Sequence, residues 1–136
     1  MLELLAQWMR STPAISSLVG NRVYVRRAFQ KSQFPRVVIR QSGQTFGMTH
    51  DGPDGLDRVQ VTIECQSTGK DEGEQATKIA DAVVDALHGF KGTIAGVIVQ
   101  GIFGLNRSDA VERRNEASED LFFQVSITFK VIAVSL

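Results

Sequence analysis

Leu121-Phe122-Phe123-Gln124-Val125-Ser126-Ile127-Thr128-Phe129-Lys130-Val131-Ile132-Ala133-Val134 has a period of two almost throughout. Leu121, Phe123, Val125, Ile127, Phe129, Val131 and Ala133 form one face; Gln124, Ser126, Thr128 and Lys130 form the other. That alternation predicts a half-buried strand. Fully extended, its fourteen residues would span roughly 46 Å. A compact chain of 136 residues has a diameter of only about 37 Å. The strand therefore bends or projects. Phe122, Ile132 and Val134 interrupt the polar face, so its ends are expected to be covered.

Working back, Val59, Val61, Ile63 and Cys65 alternate with polar residues and predict a second half-buried strand. Between the two, Asp71 to Leu87 is the clearest helix, with Ala76, Ile79, Ala80, Val83 and Leu87 on one face. Asp71, Glu72 and Glu74 load its first turn with negative charge, favourable against the macrodipole, and His88-Gly89 closes it. A further strand is expected from about Val97 to Phe103, followed by a charged loop from Arg107 to Ser118. Arg36 to Gln41 reads as a strand that pairs with 59–65, and Ser42 to Gly55, rich in glycine, as an oversized hairpin loop. Val23 to Val25 is a short strand. Before it, Leu2 to Arg10 is a helix. A second helix is capped by Thr12, starts with Pro13 and stops at Gly20. The fold class expected is α+β in one domain over residues 1–136: a largely antiparallel sheet of four to five strands, the 71–87 helix on one face, and a short N-terminal helical pair.

Composition narrows the function classes. Apolar content of 43% and charged content of 22% are those of a globular chain. The single Cys65 excludes an internal disulfide framework, and its register with Val61 and Ile63 makes it a core residue. Glu3, Gln7 and Arg10 interrupt the N-terminal apolar residues, which argues against a signal peptide, and no apolar run suits a bilayer span. Catalysis finds little support. His50 stands beside Asp51 without a nucleophile motif, and no P-loop or dinucleotide fingerprint is present. Asp51, Asp54 and Asp57 with their glycines have turn spacing rather than the ligand spacing of a calcium loop. No enzyme activity, cofactor or metal is expected.

Charge is the informative quantity. The net charge is zero, yet Leu4 to His50 holds seven cations (Arg10, Arg22, Arg26, Arg27, Lys31, Arg36, Arg40) and no acid, while fourteen of the fifteen acids follow His50. The first fifty residues sum to +6 and the rest to −6. Such a split selects orientation between different neighbours or between copies. Arg26, Arg27, Lys31 and Arg36 with Phe29 and Phe34 fit three readings: a nucleic-acid surface, a solvated basic face, or a protein interface.

The order of blocks adds a resemblance. The helical pair ends in Leu18-Val19-Gly20-Asn21-Arg22-Val23-Tyr24; Phe34-Pro35-Arg36-Val37-Val38-Ile39 follows; then Asp57-Arg58-Val59-Gln60-Val61-Thr62-Ile63-Glu64-Cys65, the acid-started helix to Ala86-Leu87-His88-Gly89, and the terminal strand. This resembles the tail-completion, or tail-terminator, proteins of long-tailed bacteriophages and prophages, over nearly the whole chain. The resemblance implies a structural virion protein: a hexameric ring that caps the tail tube and meets the head-completion or neck proteins, with DNA passing through the lumen. It implies no cofactor and no membrane partner, and places the protein at the tail–neck region of the virion after assembly in the host cytoplasm. On that reading Arg26, Arg27, Lys31, Arg36, Asp51, Asp54, Asp57, Phe122, Ile132 and Val134 are the candidate interface residues. The alternatives are a nucleic-acid-binding module built on the loop 26–36 and another neck or tail adaptor of similar fold.

Overall fold

In the computed structural model the alternating C-terminal stretch is β6 (Leu121–Val134), and it lies inside a six-stranded sheet. The structure describes residues 1–28, 33–49, 52–68, 72–113 and 121–134. The other elements are α1 (Leu2–Ser11), α2 (Pro13–Val19), β1 (Val23–Val25), β2 (Arg36–Thr49), β3 (Gly52–Ser67), α3 (Glu72–Leu87), β4 (Gly92–Ile94) and β5 (Val97–Arg113). The strand order is β1-β2-β3-β6-β5-β4; β1 runs parallel to β2 and all other pairs are antiparallel.

The α+β class is as expected, but the sheet is larger, for identifiable reasons. β4 is only Gly92–Ile94, too short to show a period. It turns into β5 through Ala95-Gly96, both at positive φ (48° and 86°), the two-residue turn that matches strand twist. The stretch 42–55, expected as a loop, is mostly strand. β2 and β3 stay paired out to Thr49↔Gly52, and the glycines that looked like breakers accompany register shifts at Gln41/Gly43 and Phe46/Met48. Likewise β5 continues through the expected charged loop to Arg113, its ladder with β6 unbroken from Asn106↔Thr128 to Arg113↔Leu121. Polar, exposed residues in a hairpin arm lack the one-sided apolar signature that identifies a strand.

β6 gains its length without projecting alone: β3 accompanies it from Ser67↔Phe123 to Leu56↔Val134. The sheet curls. In a flat sheet β1 and β4 would lie about 24 Å apart, yet α1 contacts β1 and β2 at one edge and β4 at the other. Leu2, Leu5, Ala6 and Met9 are buried in that seam, and Trp8 meets Phe90 edge-on with ring centroids 5.3 Å apart. Thr12 sits at the start of α2, but its hydroxyl donates backward to the Trp8 carbonyl (2.7 Å) and so ends α1 rather than capping α2. Gly20, at φ 60°, terminates α2, as its position suggested. Ala76, Ile79, Ala80, Val83 and Leu87 of α3 are all buried in the core, where α3 packs on β3 and β6.

Candidate assembly surfaces

The face of the sheet opposite α3 carries a row of polar side chains that mass together rather than standing in water. Arg36, Gln66 and Gln124 occupy one row across β2, β3 and β6. Arg36 Nε donates to Gln66 Oε1 (2.6 Å), Gln66 Nε2 donates to Gln124 Oε1 (2.8 Å), and Gln124 Nε2 donates to Ser126 Oγ (3.0 Å). All three of these long side chains are buried. A buried polar group is costly unless satisfied, so this chain of donors and acceptors fixes rotamers as well as strand register. Arg36 also lies over the Phe34 ring, 4.1 Å from its centroid, and the Phe34 and Phe122 rings pack 5.4 Å apart.

Around this row opens a cavity of about 210 Å³ lined by Arg26, Arg27, Ala28, Arg36, Val38, Arg40, Glu64 and Gln66. Two carboxylates face the four guanidiniums. Glu64 holds Arg40 in an ion pair, and exposed Glu3 holds Arg26 at 3.0 Å. Arg26 takes φ 71°, unusual for a residue with a Cβ, which swings the chain over the outer face. The backbone N–H at the start of α1, with Arg26 beside it, holds the Glu3 carboxyl below the ordinary range. The site has a clear positive excess.

Of the interface residues expected from sequence, the structure brings Arg26, Arg27 and Arg36 together. Lys31 and Asp51, like Phe29 and His50, lie outside the described residues, and of Asp54 only the backbone is described. Asp57 is half-buried on β3 opposite Phe46, at the far end of the β2–β3 hairpin from the arginines. Phe122 is buried beneath Phe34 and Arg36, so its cover comes from its own chain. Ile132 and Val134 are half-buried near the end of β6 beside Arg58 and Leu56. Sequence reasoning missed Arg40, Glu64 and Gln66, because β-sheet register alone brings 36, 64, 66 and 124 together. It also missed a recess of about 300 Å³ between α3 and β5, with Val84, Leu105, Ile127 and Phe129 as its apolar lining and His88, Gly104, Asn106 and Arg107 completing it.

The remaining candidates for chemistry have structural roles. His88 Nδ1 accepts from the Gly104 N–H (2.9 Å), tying the end of α3 to β5 in the manner of a neutral imidazole. Among the described residues no cluster of His, Cys, Asp or Glu has the arrangement of a metal site. No helix among them is long and apolar enough to cross a membrane. Cys65 is fully buried, and burial pushes its thiol from 9.0 up to about 12. Its folded value is raised, so the stability it contributes is complete below pH 9 and lost as pH rises toward 12. The loss should approach ~4 kcal/mol over that window. Urea titrations should show a steeper alkaline loss for the wild type than for Cys65→Ala, and a thiol reagent at neutral pH should label Cys65 only on unfolding. Equal alkaline profiles would contradict this account.

The Phe34 ring is also withdrawn from base stacking, since Arg36 covers it and Phe122 packs against it. What persists is an arginine-lined concavity on a curled sheet with a long hairpin arm. The family described as Tail completion protein gp17 matches residues 3–133. A chain of the "Virion of native gene transfer agent (GTA) particle" shares the fold with a TM-score of 0.70 at 17% identity, covering 99% of this chain and 95% of that one. No curated protein matches. The chain is thus a structural protein of the phage-tail class. Within that class it belongs to the gp17 tail-completion family.

Proposed function

We propose that the protein forms a ring, hexameric by its resemblance to tail terminators, that caps the tail tube and supplies the joint to the head or neck, with the lumen left open for DNA. It works without catalysis. A ring needs two different, mutually complementary patches on each subunit.

The observation that carries this reading is the polarity of the β2–β3 hairpin. Arg36 and Arg40 stand at its base beside Arg26 and Arg27. Toward its far end stands Asp57, opposite Phe46, and the sequence from Gln41 to Asp57 carries Asp51 and Asp54 as well but no Lys or Arg. Opposite charges are separated by the length of a hairpin, an arrangement that favours contact of the basic base of one copy with the acidic end of another and opposes a parallel, like-on-like contact. Light scattering with and without purified tail tubes tests it. The expected result is a closed oligomer, alone or on the tube end. A chain that stays monomeric up to millimolar concentration and does not bind tube ends would refute it.

A further inference from the structure

We propose that Phe46, on the β2–β3 arm of one copy, seats in the recess between α3 and β5 of the next copy. This inference rests on the ring assignment above and specifies one of its contacts. Phe46 is 78% exposed, the most exposed large apolar side chain among the described residues. The recess on the opposite half of the sheet is open and has exposed Leu105 at its rim (52%). Its volume is about 300 Å³, and a cavity of about 150 Å³ already takes up a benzene ring.

Geometry forbids the two from meeting within one chain. Phe46 pairs with Asp57, whose own rung on β6 is Ala133, whereas the recess lies two strands over, across β6, and four or more residues along it beside Ile127 and Phe129. The occupant is therefore a second copy, and the contact is heterologous, as a ring requires. The flanking backbone suits it as well. β1 covers β2 only over Val37–Ile39, and β4 covers β5 only over Val97–Val99. Among the described residues no strand pairs with the outer edge of β2 past Arg40 or of β5 past Gly104. Two such edges are ready for strand addition. Leu105 is the extra residue of a register shift between Gly104 and Asn106, a feature that re-aims side chains at sheet edges. Charge agrees. The arm is acidic, and the only charged residue of β5 between Val97 and Ser108 is Arg107, held by Asp81 in an exchangeable exposed pair at 2.8 Å.

Cross-linking decides it. Phe46→Cys and Leu105→Cys are prepared separately and treated with a short bis-maleimide, alone and mixed; buried Cys65 stays silent. The expected result is a cross-linked dimer from the mixture and none from either variant alone. The double variant should give a ladder ending at the closed ring. Phe46→Ala should weaken self-association about tenfold to a hundredfold with unchanged thermal stability. Dimers formed as readily by Phe46→Cys alone would overturn the contact. So would a mixture that light scattering shows to be oligomeric but that does not cross-link; that outcome leaves the ring assignment standing. A strict monomer under all conditions removes both.

Discussion

Phe129→Ala should destabilise the protein by about 3–5 kcal/mol, the range for losing a buried aromatic ring from a packed core. Phe129 is fully buried at the middle of β6, paired with Val61 on one side and Gly104 on the other. The glycine is part of the arrangement: a Cβ at position 104 would stand 3.6 Å from Phe129 Cε1 and 3.2 Å from His88 Nδ1. Truncating the ring leaves a void that the backbone cannot close without breaking the His88–Gly104 hydrogen bond. Urea unfolding should show the midpoint falling sharply with little change in slope. Val111→Ala, at a position 57% exposed, is the matched control and should shift stability by no more than about 0.5 kcal/mol. A Phe129→Ala loss below about 1.5 kcal/mol would mean that α3 collapses onto β5 to fill the space.

The legible part of the fold is the part whose two faces differ. β3, β6 and α3 each bury one face and wet the other, and their periods identify them from residues alone. β1 is legible because Gly20 ends the helix before it. The arms are not legible. Gln41 to Leu56 is paired strand over most of its length, yet Gly43, Gly47, Gly52 and Gly55 read as punctuation. A strand with solvent on both sides leaves no apolar alternation to find, and bulge glycines look like loop glycines until register is known. The same holds for β5 beyond Phe103, where side chains from Phe103 to Asp109 are exposed on both faces.

The site divides along the same line. That Arg26, Arg27 and Arg36 form a cluster was readable, because they are close in sequence. That Glu64, Gln66 and Gln124 complete it was not, because the contacts span 30 and 58 residues. Phe34 and Phe122 show why composition misleads about rings. Arg and Phe in one segment suggest stacking on a base, but here the ring stacks under an arginine of its own chain.

On the proposed ring assignment, Arg26→Glu with Arg27→Glu should weaken assembly on the order of a hundredfold or more, because close charge pairs at docked surfaces couple by about 1.5–7 kcal/mol. Folding should barely change. The Arg26–Glu3 pair is 69% and 60% exposed, and exposed pairs contribute about 0–1 kcal/mol. Arg36 and Arg40, whose bonds to Gln66 and Glu64 hold β2 to β3, are left intact. The variant therefore separates docking from stability, which Arg36→Ala would confound by stranding Gln66. Wild-type assembly should itself weaken as salt rises through the range where the screening length falls from about 10 Å to about 3 Å. Reversing the opposite partner gives the sharper test. Asp51→Lys with Asp54→Lys should also impair assembly, and mixing the two variants should restore part of it, since each supplies the patch that the other lacks. Normal capping of tail tubes by the Arg26/Arg27 variant would sink the idea that this cavity receives an acidic element. Failure that is not relieved by the complementary variant would place that element elsewhere than on the hairpin arm.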